Sequence, residues 1–498
     1  MTKNFDRMKK FKLIINLIFF IFHSVDKNIM TSMLGSDDLN DFIKPSVACI
    51  KTSEEAVIQL EIEDDENKDQ KITEEKTQVS ISLEDCLACS GCITSSEEIL
   101  IKQHDSSKFV EYWEENQPND NMIYVMMVSD QSRISLSKEF NKSVKEIDEI
   151  IIKSMKKRFQ ITYFVGVGIG REIGHYELFK EVNNKKGGKV PVLTSVCPGW
   201  RLYVEKTHGD LVEHLSEVKT PQWITGALAR EVIKKERSDA KICVLSLMPC
   251  FDKKLEASRD DVVDFVVTPR ELISLVDLSD IEFYQNSDKS FDYVEHSPPQ
   301  WPEFDNYGWG GIITDNNLQP ALKSGGWALS YIEKVCKKKG EKGGEEGECT
   351  INVINGKNED IIEIQAVKKD GTVISRAGIV NGFKNIQNGV RKWKGTERKR
   401  RGVRGKSNST STDGVISLTQ WDMAEVMACP GGCLNGGGQL PNKEMLEGLK
   451  SNEEKKNSGE LMIKFAKSIG INTIETANER KRGNTSSTPV LPDVFSTW

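Results

Sequence analysis

Residues 427–439 have the sequence MACPGGCLNGGGQ, and the prediction of the fold starts from this segment. Its two cysteines, Cys429 and Cys433, are four positions apart, which places both thiols on one face of a turn. The surrounding glycines allow the backbone to approach a bulky inorganic group closely. Such a pair is weak evidence for a metal centre by itself, so its interpretation depends on the other cysteines.

Two further cysteines follow predicted strands. Cys197 lies in TSVCPGW, residues 194–200, and Cys250 lies in LMPCFDKK, residues 247–254. The carboxyl ends of strands are where α/β sheets place their ligands. Four thiolates from three separated segments would bind a cluster between lobes and connect those lobes.

A second cysteine set lies near the amino terminus, in DCLACSGC at residues 85–92. Cys86, Cys89 and Cys92 have the spacing that surrounds one face of a cubic iron–sulfur cluster, but the ferredoxin continuation xxxCP is absent. Cys49 is the nearest upstream candidate for the fourth ligand. A zinc site is the alternative for the triplet, although zinc usually takes two separated cysteine pairs. For Cys49 the alternative is a small buried apolar residue.

Composition supports a metalloprotein over a secreted disulfide scaffold. The chain has 498 residues and eleven cysteines, an odd number with uneven spacing, whereas disulfide scaffolds are short and evenly rich in cysteine. Cys243 lies on a predicted strand and is expected in the core. Cys336 and Cys349 flank a loop and are expected to be free thiols. The net charge of −7 gives no reason to propose nucleic acid as the main partner.

Apolar runs alternate with amphipathic segments through the middle of the chain, which predicts an α/β fold with parallel sheets. Five runs are predicted as strands: Tyr124–Val128, Ile161–Val165, Val190–Thr194, Ile242–Leu247 and Val262–Val267. Four segments are predicted as helices: 135–157, 171–182, 221–235 and 269–277. In the first of these, the apolar side chains share one face.

Taken together, TSxCPGW, MPCxxKK and EVMACPGGCxNGGGQ resemble the motifs of iron-only hydrogenases. With DCLACSGC in front, the set most resembles the Nar1 family, the hydrogenase-like proteins of cytosolic iron–sulfur protein assembly. The likeness spans 40–335 and 415–475 in the expected order. It implies an iron-only-hydrogenase-like two-lobed α/β fold, preceded by a small cluster-binding segment. It also implies two [4Fe–4S] clusters, whose ligands are Cys49, Cys86, Cys89 and Cys92 for the first and Cys197, Cys250, Cys429 and Cys433 for the second.

The amino-terminal extension does not fit that pattern. Lysines precede an apolar run at 13–22, as in a signal peptide, but no small-residue cleavage site follows. The run is too short for a confident membrane span. We interpret it as a dispensable extension, or as a wrong start with Met30 or Met33 as the true first residue. A membrane anchor is the alternative.

The resemblance predicts how the chain is divided into segments and domains. Polar insertions are expected at 337–350 and 391–412. The second is basic, and the alternative for it is a nucleic-acid or nuclear-import patch, although no aromatic platform accompanies it. The expected parts are an apolar extension (1–39), a cluster segment (40–115), hydrogenase-like lobes (120–480) and a flexible tail (481–498).

Two functions from different classes remain compatible with this resemblance: a hydrogenase, and an assembly factor without catalytic activity. Lys253, Met248 and Met427 keep residue types found around the hydrogenase iron site. Val196 favours the assembly factor, because hydrogenases place a proton-relaying cysteine there and valine cannot carry a proton. The chain also lacks further cysteine sets for an electron wire.

The resemblance further implies partners and a compartment. These are an upstream P-loop NTPase cluster scaffold, apo iron–sulfur proteins, and a cytosolic targeting complex with a WD40 adaptor. The expected location is the cytoplasm, with the nucleus as a second possibility. Trp498, at the end of a Ser/Thr-rich segment, is expected to bind the WD40 adaptor as an apolar anchor with a carboxylate. Local packing of Trp498 is the alternative.

Overall fold

The computed structural model describes residues 95–117, 121–185, 187–188, 190–276, 294–298, 301, 323–340, 349–356, 358–395, 416–440, 466–467 and 470–474. The strands in these residues are β1 (Met122–Val128), β2 (Tyr163–Gly166), β3 (Val192–Thr194), β4 (Lys241–Leu247), β5 (Phe265–Val267), β6 (Cys349–Asn355), β7 (Ile361–Lys368), β8 (Val373–Asn381) and β9 (Met423–Met427).

Helices connect and cover the strands. They are α1 (Ser95–Gln103), α2 (Ser106–Glu115), α3 (Asp130–Glu139), α4 (Val144–Phe159), α5 (Gly168–Lys185), α6 (Pro198–Thr207), α7 (Pro221–Glu236), α8 (Asp252–Ala257), α9 (Pro269–Leu275), α10 (Trp327–Gly340) and α11 (Phe383–Trp393). A short 3-10 turn, Gly432–Asn435, follows β9. Within the described residues, no helix is both long and apolar enough to cross a membrane.

The first sheet is parallel throughout, in the order β2-β1-β4-β5. Every residue of β1 is buried, as expected where helices cover both faces of a parallel sheet. Alternate side chains enter opposite cores: Ile123 and Val125 pack in one, and Tyr124 and Met126 in the other. The predicted α/β fold with parallel strands is therefore confirmed.

The second sheet is mixed, in the order β3-β9-β8-β7-β6. β3, β9 and β8 are parallel, whereas β8, β7 and β6 pair antiparallel. β3 was predicted from sequence, whereas the antiparallel strands were not. Apolar cores cover both faces of this sheet as well.

The predicted helix over 135–157 is two helices, α3 and α4. Asn141 has a left-handed backbone (φ 49°), and Ser143 starts α4 with a capping box. Its hydroxyl accepts from the Glu146 N–H at 3.3 Å, and the Glu146 carboxylate accepts from the Ser143 N–H at 2.8 Å. The apolar period continues across this break, which is why the pattern predicted a single helix.

The cysteines outside the proposed ligand sets differ from one another. Cys243 is 1% exposed in a core of the first sheet, as predicted. Cys336 and Cys349 form a disulfide between the last turns of α10 and the start of β6, so the prediction of free thiols was wrong. The two residues are near in space because α10 packs against β6, a strand that was not predicted from sequence.

Candidate metal centre

Three of the predicted ligand cysteines follow the carboxyl ends of parallel strands. Cys197 comes three residues after β3, Cys250 three residues after β4, and Cys429 two residues after β9. Cys433 lies in the 3-10 turn beyond Cys429. All four line a single cavity of about 720 Å³, a volume that includes its opening to solvent. The structure therefore brings together residues that are 236 positions apart in the chain (433 − 197).

Cys197 is positioned by a hydrogen bond of its backbone. It precedes Pro198 as the N-cap of α6, and its N–H donates to the Ser195 hydroxyl at 2.9 Å. Backbone hydrogen bonds from Ala428 and Trp200 lower the pKa of its thiol against the larger effect of desolvation. Donors directed at a sulfur stabilise its thiolate form, which is the form that binds iron.

The loop between Cys429 and Cys433 requires two glycines. Gly431 and Gly432 both have left-handed backbones, with φ of 72° and 73°, and a Cβ at Gly432 would lie 2.4 Å from the Ser324 Oγ. The Gly431 N–H donates to the Asp360 carboxylate at 2.7 Å. The sequence Pro-Gly-Gly thus allows the turn that directs Cys429 and Cys433 to the same cavity.

The glycines after Cys433 bring its loop against the Cys250 loop. A Cβ at Gly436 would lie 2.4 Å from the Pro249 carbonyl oxygen. That oxygen accepts from the Gly438 N–H at 3.1 Å. Larger residues here would separate the two loops and move Cys250 away from the other three thiols.

Desolvation in the cavity keeps the free thiols protonated. It raises the pKa of Cys197 and that of Cys250, with Asp252 adding to both shifts. It also raises the pKa of Cys433 to about 12, with Cys197 adding to the shift. Metal binding at these thiols must therefore displace protons, and it would convert neutral thiols into ligated thiolates.

The chemistry of the donor set fits an iron–sulfur cluster, since all four residues are cysteines that line one cavity. A zinc ion would draw its sulfurs to about 2.3 Å from one point. Within the described residues, no three His, Cys, Asp or Glu side chains are grouped closely enough to bind one metal ion. Thiolates are the usual ligands of iron–sulfur clusters.

Some of the other residues that line the cavity were predicted from sequence to belong to this site, and others were not. Met248, Met427, Lys253 and Val196 line it. Lys253 is buried and forms an ion pair with Glu256 at 2.6 Å. The wall residues not predicted from sequence include Asp130, Arg171, Gln222, Ser324 and Trp327.

One of these residues could have been found from sequence. Asp130 follows β1, so the rule that ligands lie at carboxyl strand ends indicates it. Arg171 and Trp327 lie on helices, where no motif marked them. The predicted residues Cys49, Cys86, Cys89, Cys92 and Trp498 lie outside the described part of the chain.

Comparison with known proteins gives a consistent result. A sequence profile described as "Iron only hydrogenase large subunit, C-terminal domain" matches residues 122–437. A protein of Candida dubliniensis is 35% identical over 494 residues, covering 82% of each chain. One of Eremothecium gossypii is 38% identical over 425 residues, covering 82% of this chain and 87% of its own. Both are named "Cytosolic Fe-S cluster assembly factor NAR1".

Solved structures show the same fold at low sequence identity. An [FeFe]-hydrogenase from a study of oxygen inactivation of its H cluster is 16% identical, with a TM-score of 0.54, and covers 74% of this chain and 97% of its own. An apo variant of [FeFe]-hydrogenase HydA1 from Chlamydomonas reinhardtii has a TM-score of 0.53 at 16% identity, and covers 78% of this chain and 97% of its own.

The resemblance inferred from the cysteine motifs is thus confirmed at the level of fold by these structures and at the level of family by the relatives. With a hydrogenase-type profile over more than half of its length and relatives above 30% identity over most of it, the chain belongs to the NAR1 family of cytosolic Fe–S cluster assembly factors.

Proposed function

We propose that this protein is a cytosolic iron–sulfur protein assembly factor that carries two [4Fe–4S] clusters. The observation that supports it most is the cavity lined by Cys197, Cys250, Cys429 and Cys433 in a member of the NAR1 family. These four residues would bind the second cluster. The first would be bound by Cys49, Cys86, Cys89 and Cys92, as the family motif implies.

Metal analysis tests this proposal directly. Protein purified without oxygen is expected to contain about eight iron and eight acid-labile sulfide per chain, because two cubane clusters use eight cysteine ligands. Iron and sulfide counting, with electron paramagnetic resonance of the reduced protein, makes the measurement. Zinc in place of iron, or saturation at one cluster, would contradict the assignment.

We propose further that the protein is not a hydrogenase, although it shares the hydrogenase fold. Val196 lines the cavity beside Cys197, at the position where hydrogenases carry a proton-relaying cysteine. Valine has no proton to transfer, so that route for general acid–base chemistry is interrupted. The relatives in this family are named as assembly factors and not as hydrogenases. A hydrogenase or hydrogenase-like redox enzyme remains the second candidate, because Lys253, Met248 and Met427 line the same cavity.

A gas assay separates the two functions. Protein reconstituted with both clusters is expected to show no hydrogen evolution with reduced viologen and no hydrogen uptake with oxidised viologen, beside an active [FeFe]-hydrogenase as the positive control. The enzyme hypothesis would be revived by hydrogen production, or by infrared bands of iron-bound CO or CN after maturation with hydrogenase maturases.

The proposed partners follow from the same function. The protein would receive clusters formed on a P-loop NTPase scaffold and pass them, through a targeting complex with a WD40 adaptor, to apo iron–sulfur proteins of the cytosol and nucleus. Trp498 would provide one contact with the adaptor, since an indole suits an apolar pocket on a partner.

Deletion of Trp498 is expected to weaken binding to the adaptor by about tenfold or more, the loss typical of an aromatic hot spot. Iron content should stay at the level of the full chain, which serves as the control for folding. Titration of both chains against the purified adaptor makes the measurement. Equal affinity of the two would assign docking to another surface.

A further inference from the structure

The segment Cys433–Leu440, which we call the strap, connects elements of the two sheets. It begins in the 3-10 turn that follows β9 of the second sheet. It ends beside α3, where the Leu440 N–H donates to the buried Ser135 Oγ at 3.0 Å. α3 follows β1, which is a strand of the first sheet. The strap therefore extends from a proposed cluster ligand to a helix on the other side of the site.

The backbone of the strap is fixed on α9. The Arg270 N–H donates to the Gly438 carbonyl at 3.3 Å, and the Arg270 Nε donates to the Gln439 carbonyl at 2.8 Å. A Cβ at Gly438 would lie 2.4 Å from the Thr268 Cγ2, so only glycine allows the backbone to approach the start of α9 this closely. These contacts fix the end of the strap that is distant from Cys433.

The side chain of Gln439 connects that distant end with the ligand itself. It is only 3% exposed, and its Nε2 donates to the Gln131 carbonyl of α3 at 3.0 Å and, over a longer distance of 3.4 Å, to the Cys433 carbonyl. An amide nitrogen has two protons, one for each of these carbonyl oxygens. Because both acceptors are carbonyls, the amide nitrogen and not its oxygen must face them. Gln439 thus joins the backbone of Cys433 to α3.

We infer that Gln439 is a positioning residue that holds the Cys433 backbone against α3 and thereby slows the loss of iron from the second cluster. A ligand with a fixed backbone stays in place when its bond to iron opens, so rebinding competes with loss of the metal. Groups that orient a metal ligand without touching the metal commonly change metal affinity by about 10- to 100-fold. The inference rests on the proposed function, because it requires a cluster at the four thiols.

Three substitutions separate this role from general stability. Gln439→Leu removes both hydrogen bonds at a similar side-chain volume. Gln365→Leu is the matched control, because Gln365 is also buried and its amide donates to Glu363, but it lies on β7, which carries no proposed ligand. Ser135→Ala removes the acceptor of the Leu440 N–H and leaves the Gln439 amide in place.

The test uses the full chain, purified anaerobically with both clusters and exposed to a ferrous chelator together with iodoacetamide. Electron paramagnetic resonance follows the second cluster, and mass spectrometry of peptides gives the order in which cysteines are alkylated. Gln439→Leu is expected to bind as much iron as wild type, to lose the second cluster about tenfold faster, and to be alkylated at Cys433 before Cys197. Gln365→Leu is expected to match wild type. Ser135→Ala is expected to show a smaller acceleration with the same order of alkylation.

The outcomes distinguish this inference from the function on which it rests. Loss of the second cluster from Gln439→Leu at the wild-type rate overturns the positioning role. Faster loss with all four ligand cysteines alkylated together also overturns it, because that result shows a general loosening of the fold. If Gln439→Leu fails to accumulate, Ser135→Ala decides, and a wild-type rate there overturns the inference. A wild-type protein that binds no cluster at the four thiols instead overturns the proposed function.

Discussion

Cys429→Ala is expected to abolish the second cluster and most of the soluble yield of this protein. Cys429 is proposed to share one cluster with Cys197 and Cys250, which lie in loops that follow strands of different sheets. Loss of one thiolate would therefore remove a connection between segments as well as a metal ligand. Metal binding of this kind is coupled to folding. Soluble yield, and iron per chain in the soluble fraction, make the measurement.

Two matched substitutions serve as controls for this prediction. Cys243→Ala changes a buried cysteine outside the ligand sets, so it should cost only about 1 kcal/mol of stability and no iron. Cys89→Ala should remove the amino-terminal cluster and leave a soluble protein, because that cluster is proposed to use one local loop plus Cys49. A soluble Cys429→Ala variant beside an insoluble Cys89→Ala variant would show that the roles of the two clusters are reversed.

The second ligand set could be predicted from sequence because its chemistry is carried by rare residues at strand ends. Cys197 and Cys250 each follow a short apolar run, and apolar runs in a parallel sheet are readily recognised. The structural reason for two glycines in the loop with Cys429 and Cys433 is given only by the three-dimensional structure. A side chain at Gly432 would collide with Ser324, and one at Gly436 would collide with Pro249.

The antiparallel strands β6, β7 and β8 were harder to predict. β6 is partly exposed along its length, and its hydrophobic pattern begins beside the segment at 341–348, which is rich in glycine and charge. A strand of this kind depends on its partners for stability more than on its own sequence. The disulfide between Cys336 and Cys349 could not be predicted for the same reason, since it requires β6 to pack beside α10.

The polar wall of the cavity could not be predicted because it depends on contacts between distant helices. Arg133 of α3 is buried, and its Nε donates to the Asp148 Oδ1 of α4 at 2.7 Å. Its Nη1 donates to the Asp130 Oδ1 at 3.1 Å, and Arg171 of α5 pairs with the other oxygen of Asp130. Two cations and two anions thus balance each other behind the cavity, where Asp130 and Arg171 form part of its wall.

Arg133→Met is expected to lower the free energy of unfolding by about 3 to 5 kcal/mol, because it leaves the carboxylate of Asp148 buried without its bidentate partner. Adding Asp148→Leu in the double variant should restore much of this loss, since the uncompensated charge is then removed and an apolar pair fills a similar volume. Denaturant unfolding of wild type, both single variants and the double variant, at equal iron content, gives the coupling energy.

A loss below about 1 kcal/mol for Arg133→Met, or a double variant no more stable than the single one, would show that water or another group replaces the guanidinium. The predicted result would show that each buried ion is needed to compensate the charge of the other, and that the ion pair itself adds little to the free energy of unfolding compared with an apolar pair.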